Sequence, residues 1–189
     1  MSLTIAVILG STRPQRAGEG IAKWFMAQTK NFPEARFEFI DLRDVALPFL
    51  DEPVPPLMQQ YQNEHTKKWS ETVKKYDGYI VVTPEYNHSF PAVLKNAFDY
   101  VYHEWAKKPI AFVSYGASSG GSRAVEQLRQ VAVELQMAPV REQIMIPMVW
   151  SAMDGESVKA DRILGDLPRM MQDIIWWAET LKKGRENLS

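Results

Sequence analysis

Residues 78–101 place the tightest limit on what this chain can fold into. Gly78 to Val82 is a short uncharged run of β-branched and aromatic side chains, the composition of a strand covered on both faces. Val93, Leu94, Ala97, Phe98 and Val101 recur at helical spacing, so a helix with one apolar face follows. Between them Thr83 to Ser89 make a polar loop, with Pro84 at the strand exit and Pro91 in the first helical turn, where a missing N–H is tolerated. The loop lies at the carboxyl end of a central strand, where unpaired backbone groups converge and open α/β sheets bind their ligands. The Glu85 carboxylate, the Tyr86 ring and hydroxyl, the Asn87 amide and free backbone N–H groups suit a flat molecule with a polar edge. Taken alone, Asn87 and Ser89 are as well suited to capping the helix, and Pro84 to ending the strand.

The same strand–loop–helix unit recurs along the chain. Thr4 to Leu9 is an unbroken apolar run of strand length. Gly10 to Gly20 then form a small, polar, basic loop before a helix whose apolar side includes Ile21, Trp24 and Phe25. A helix N-terminus with Ser11, Thr12, Arg13 and Arg16 beside it offers hydroxyls, free N–H groups and two cations, which fits a phosphate. The loop matches neither the Walker pattern nor the G-x-G-x-x-G fingerprint, and a plain solvated connection with two surface arginines is the alternative. Arg36 to Ile40 alternates, with Phe37 and Phe39 on one face, as a half-wet edge strand does.

Pro48, Pro53, Pro55 and Pro56 exclude regular structure across Leu47 to Leu57, a long loop of the kind that borders a site or a subunit interface, or is a simple excursion. A helix with Trp69, Val73 and Tyr76 on one face leads back to the Gly78 strand. Tyr102 to Lys108 is a connection, Pro109 to Tyr115 another buried strand, and Gly116 to Ser122 another small-residue loop. Gly120 and Gly121 there allow close backbone approach to a ligand, and Val125, Leu128, Ala132 and Leu135 line the following helix. Val140 to Val149 is the last strand, and Pro147 within it argues for an edge position. Asp154 to Gly165 reads as a polar loop, Met170, Ile174, Trp177, Ala178 and Leu181 as the apolar face of a final helix, and Lys182 to Ser189 as a frayed end.

At 189 residues the chain is expected to form one domain, residues 1–189, large enough to bury a core unaided. A net charge of -1 gives no global field toward nucleic acid or an anionic membrane. With no cysteine there are no disulfides, thiolate metal sites or iron–sulfur clusters. His65, His88 and His103 lack metal-ligand spacing, so no metal site is expected. The apolar N-terminus lacks a basic flank and a cleavage site and reads as a strand, and no run is long enough to span a membrane, so a cytoplasmic location is expected.

Five alternations of strand and helix indicate a doubly wound parallel sheet with helices on both faces. The two strands with edge character, the second and the fifth, are the edges of the order 2-1-3-4-5. That order makes strands 1, 3 and 4 neighbours, so their three loops line one crevice suited to a ligand with a phosphate at one end and a planar ring at the other.

Gly10-Ser11-Thr12-Arg13 with Arg16, Pro84-Glu85-Tyr86-Asn87 leading to Pro91 and Leu94-Lys95-Asn96-Ala97, and Ser114-Tyr115-Gly116 with Gly120-Gly121 resemble the flavodoxin-like NADPH-dependent FMN reductase family, which includes quinone, azo-dye and chromate reductases. The resemblance covers roughly residues 3 to 150. Ala92 departs from the glycine usual after the proline, a change a helix accommodates. The resemblance implies that Ser11, Arg13 and Arg16 hold the FMN phosphate and that Pro84, Glu85, Tyr86 and Asn87 line the ring. It implies that Ser114, Tyr115, Gly116, Ser118, Gly120 and Gly121 close the crevice over the ring and the nicotinamide site. It further implies hydride transfer from NADPH or NADH through bound FMN to a small-molecule acceptor: a quinone, azo compound, metal oxyanion or free flavin. No side chain need act as acid or base, since the flavin carries the chemistry.

His88 could contact substrate or be solvated, and Arg123 could reach the nicotinamide nucleotide or, the favoured reading, tie down its own helix. A homodimer or homotetramer is expected from the family, with Trp105, Trp176 and Trp177 compatible with an interface or with a core. A non-enzymatic flavodoxin-type FMN carrier is the nearer alternative, against which Arg13, Arg16 and the low net charge count. A flavin-free doubly wound module or phosphate-binding hydrolase is the farther one.

Overall fold

The computed structural model describes residues 3–187. Its centre is a five-stranded parallel sheet in the order β2-β1-β3-β4-β5, formed by β1 (Leu3–Leu9), β2 (Ala35–Asp41), β3 (Gly78–Pro84), β4 (Pro109–Tyr115) and β5 (Ala138–Ile146). The expected order is the observed one. In β3 and β4 every residue is buried, which is why both read as uninterrupted apolar runs. Successive side chains feed opposite cores: Ile5, Val7 and Leu9 face one cluster, Ala6 and Ile8 the other.

α1 (Gly18–Thr29) and α6 (Leu167–Glu186) cover the first face, through Ile21, Phe25, Met170 and Ile174. α3 (Glu64–Lys74), α4 (Ala92–Asp99) and α5 (Ser122–Glu134) cover the second, through Trp69, Leu94, Phe98 and Leu128. A one-turn α2 (Leu42–Val45) follows β2, and a two-residue hairpin, β6 (Met153–Asp154) with β7 (Ser157–Val158), interrupts the segment expected to be loop. Behind the second face Trp69, Tyr79, Phe98 and Trp105 make an edge-on aromatic cluster. Its two indoles donate to Ala97 O and Phe98 O at 2.8 and 3.2 Å, so Trp105 belongs to the core.

Several local expectations are corrected. β5 ends at Ile146, so Pro147 lies just past an edge strand instead of inside it. The irregularity within β5 is a register shift opposite Ile110 and Phe112, whose carbonyls at Val140 and Arg141 are taken up by Arg129 at 2.7 and 3.0 Å. Met171 replaces Trp177 on the buried face of α6, and Trp176 and Trp177 stack edge-on at 5.2 Å on its outer side. The stretch from Lys182 does not fray: helix α6 continues through Glu186 because Lys182 Nζ and Arg185 both reach Asp77, at 2.9 and 3.0 Å. Leu188 and Ser189, like Met1 and Ser2, lie outside the described residues. The Leu47 to Leu57 loop has only a 3-10 turn at Pro56–Met58. It is tied to α4, where Asn96 accepts from Leu50 N at 3.0 Å and donates to Pro48 O at 2.6 Å.

Candidate functional site

The carboxyl ends of β1, β3 and β4 open into a cleft of about 260 Å³. The loop after β1 supplies Arg13, Arg16 and Ala17; the loop after β3 supplies Pro84, Glu85 and Tyr86; the loop after β4 supplies Tyr115, Gly116 and Ala117. The chain after β5 returns across this end, with Met148 N on Ala117 O and Val149 N on Gly116 O, both at 3.0 Å, and adds Val149 and Trp150. Ser11 joins the first two loops, its hydroxyl 2.8 Å from that of Tyr86.

The two arginines of the first loop differ sharply. Arg13 is exposed, and its guanidinium makes no hydrogen bond or ion pair among the described residues. Arg16 is buried, with its terminal nitrogens engaged by both carboxylate oxygens of Asp41, at the end of β2, and by Ser11 O. Burial opposes both charges, yet their mutual hydrogen bonds outweigh it, holding Asp41 below the usual carboxylate range and Arg16 above its own. Arg16 Nε is buried without a hydrogen bond, its counter-charge Glu19 Oε2 lying 3.9 Å away. The Tyr115 hydroxyl is also buried without a hydrogen bond and reaches α1 because Gly18 has no side chain: a Cβ there would run into it. Burial, with Tyr86 adding to it, pushes the Tyr115 pKa far up, so this hydroxyl stays a proton donor. No side chain caps the α1 N-terminus.

The second loop is a tight turn. Tyr86 and Ser89 exchange backbone bonds at 2.8 and 3.0 Å, and Asn87 and His88 between them have φ of 50° and 67°. The α4 N-terminus takes no side-chain cap, so neither Asn87 nor Ser89 caps it; Ser89 Oγ bonds Gln127 instead. Glu85 is buried against Arg123 and Ser119, which overcome the cost of burial and hold its carboxyl below the usual range.

The cleft therefore brings together Arg13, Arg16, Pro84, Glu85, Tyr86, Tyr115 and Gly116, with Ser11 adjoining. Asn87, Ser114, Ser118, Gly120 and Gly121 lie outside its lining. Ser114 is buried behind the third loop with its hydroxyl on Gly120 O at 2.8 Å. Gly121, at φ 88°, runs so close to β4 that a Cβ would lie 2.7 Å from Ser114 Cβ. Asp41, Val149 and Trp150 escaped the sequence reading. An acidic residue ending a strand and the exit of the fifth strand were the only signals for them.

The arrangement is that of a doubly wound protein with a cleft at its topological switch point. The chain belongs to the NADPH-dependent FMN reductase family, whose sequence profile matches residues 3–151. It is 37% identical over 188 residues to a Nectria protein named NAD(P)H-dependent FMN reductase ntnL, covering 95% of this chain and 89% of that one. It is 30% identical over 143 residues to an Arabidopsis thaliana NADPH:quinone oxidoreductase, covering 71% and 69%. The fold is shared with the flavoenzyme NAD(P)H:(acceptor) oxidoreductase FerB of Paracoccus denitrificans, at a TM-score of 0.63, 22% identity and coverage of 96% and 98%. FMN fits the residues present: Arg16 Nε and Tyr115 Oη, buried donors that make no hydrogen bond, lie with Arg13 near an uncapped helix N-terminus, a donor set suited to a phosphate.

Proposed function

We propose that this protein is an FMN-dependent NAD(P)H oxidoreductase that delivers reducing equivalents to small acceptors, quinones or flavins. The observation that carries the reading is the pair of buried donors without a hydrogen bond, Arg16 Nε and Tyr115 Oη, beside an uncapped helix N-terminus, in a cleft whose other wall is Pro84, Glu85 and Tyr86. Family membership supports the cofactor and the donor.

Bound FMN would supply the hydride chemistry, and the protein would bind and orient it and limit access. Arg13 and Arg16 Nε supply positive donors to the phosphate, and the Ser11 and Tyr115 hydroxyls neutral ones. Pro84, Glu85, Tyr86 and Asn87 border the ring, and the Asn87 and His88 N–H groups take no part in the Tyr86–Ser89 pairing. The Ser114 to Gly121 loop, with Tyr115, Gly116, Ser118, Gly120 and Gly121, bounds the nicotinamide side. Azo compounds and metal oxyanions are further acceptors an open flavin face would reduce.

The 189 residues act as one domain, in the cytoplasm, as a homodimer or homotetramer. The anchored 47–58 loop supports the last reading, since it exposes Phe49, Leu57 and Met58. No helix among the described residues is long and apolar enough to cross a membrane.

The test is an anaerobic titration of the FMN-loaded protein with NADPH and then NADH, following the long-wavelength flavin absorbance. Rapid bleaching is the expected result and identifies the preferred donor. A flavin that binds but stays oxidised would refute the reductase reading in favour of an electron carrier.

A further inference from the structure

Two side chains one turn apart on α5 reach back to the Glu85–Ser89 turn. Arg123 donates from Nε to Glu85 Oε1 at 2.7 Å and from a terminal nitrogen to the same oxygen, while its backbone N–H meets Oε2 at 3.3 Å. Ser119 Oγ donates to Glu85 Oε2 at 3.0 Å and accepts from Arg123 at 3.0 Å. Glu85 thereby caps a helix on a different element, whose own N-cap, Gly121, has no side chain to do so, and the helix dipole favours the carboxylate there. Four residues on, the Gln127 amide accepts from Ser89 Oγ at 2.6 Å and donates to His88 O at 2.8 Å. Neither Arg123 nor Gln127 lines the cleft, whereas Glu85 does.

We infer that Arg123 and Gln127 are positioning residues for the ring loop, holding it at Glu85 and at His88–Ser89, and that Arg123 keeps the ring edge neutral by pairing with Glu85. The inference rests on the reading that this turn borders the flavin. An unpaired carboxylate in a partly buried site opposes the negative charge that reduction brings to a nearby ring, whereas a paired one contributes little field. Glu85 is thus a structural anchor with an electrostatic consequence, and the turn's remaining donors are left for the ligand.

The test uses the full chain loaded with FMN and the variants Arg123→Gln, Glu85→Gln, the Glu85→Gln/Arg123→Gln pair and Gln127→Leu. FMN affinity is read from flavin fluorescence, and the midpoint potential from equilibration against a reference dye. Arg123→Gln is expected to bind FMN about tenfold more weakly, with its potential moved to more negative values. Glu85→Gln, which leaves Arg123 unpaired, moves the potential the other way, and the paired variant returns it to the wild-type value. Gln127→Leu weakens FMN binding about threefold without moving the potential.

A merely structural role would not produce opposite shifts that cancel. Unchanged potentials in both single variants, or a paired variant displaced as far as Arg123→Gln, would overturn the inference. Should Arg123→Gln not fold, Glu85→Gln against the paired variant still decides it. A wild-type chain that takes up no FMN defeats the functional reading itself, a result distinct from FMN bound at an unaltered potential in every variant.

Discussion

Replacing Arg16 by methionine removes both the ion pair that the structure shows and the phosphate contact proposed for the same residue. The Arg16 side chain is 1% exposed and its partner Asp41 11% exposed, so their ion pair is close to fully removed from water. Removing one member leaves a desolvated carboxylate, which costs about 3 to 5 kcal/mol in a fully buried pair; the residual access to Asp41 points to the lower end, about 3 kcal/mol. Nε alone among its nitrogens makes no hydrogen bond, so the same change removes at most one charge-assisted donor to the phosphate, about 1.5 to 3 kcal/mol of FMN binding.

Arg13→Met carries the second effect without the first, because its guanidinium has no partner to abandon. Urea unfolding of the FMN-free protein and fluorescence titration with FMN measure the two quantities apart. Asp41→Asn, alone and with Arg16→Met, closes a double-mutant cycle on the pair. Asp41 has a folded pKa below its ordinary 3.8, so the pair's contribution is complete above that range and fades as pH falls through the folded value. Arg16→Met therefore loses stability at neutral pH and shows a shallower acid limb. An Arg16→Met protein as stable as wild type, with the same acid limb, would refute the assignment of its terminal nitrogens to Asp41.

Lys108 supplies a pH signature of its own. Its ammonium is buried on Val73 O and Lys74 O at 3.3 Å and on the Tyr79 hydroxyl at 3.2 Å. Burial, with Arg185 adding to it, lowers its pKa from 10.5 to about 7. Between those values the unfolded chain binds a proton the folded one has released, so stability rises with pH across that window; from about pH 6 to about pH 9 wild type gains about 1.5 to 3 kcal/mol relative to Lys108→Met. Parallel urea-midpoint profiles for the two proteins would contradict this. Gly18→Ala drives a methyl into the Tyr115 hydroxyl and is expected to cost about 1 to 3 kcal/mol of stability and to weaken FMN binding, both readable in the titrations above. Asn96→Ala removes both bonds to the 47–58 loop, about 1 to 2 kcal/mol, and should speed limited proteolysis near Phe49 without altering cleavage elsewhere.

The parts of this molecule that were legible in sequence are those decided by burial. β3 and β4 are covered on both faces and so carry no charged residue, whereas the alternation in β2 does not mark one wet face: Phe39 is 46% exposed while Ile40 is buried. Two edge signatures then suffice to order five strands. Charge pairing was not legible, because a side chain chooses its partner from whatever the fold brings near. Arg16 and Asp41 are 25 residues apart and meet only because β1 and β2 are neighbours. Glu85 meets Arg123 only because α5 begins beside the turn after β3. The persistence of α6 to Glu186 has the same origin, since Asp77, 105 and 108 residues away, holds its last turn.

These pairings also explain how one cleft can serve a strongly anionic group and a nearly neutral ring. At the proposed phosphate end Asp41 cancels one of two arginines, leaving Arg13 as the uncommitted cation while Arg16 Nε makes no hydrogen bond. Without Asp41 the buried Arg16 guanidinium would carry an uncompensated desolvation cost. At the ring end Arg123 cancels Glu85, so the turn is fixed by charge without leaving a net field on the ring. Sheet order places the two pairings: Asp41 ends β2 beside β1 and its loop, and Arg123 on α5, which follows β4, reaches the turn after β3. Moving either acid to the other end would remove the attraction for phosphate or burden the ring with a fixed charge. On the proposed reading, the positions of Asp41 and Glu85 divide the cleft between cofactor retention and cofactor chemistry.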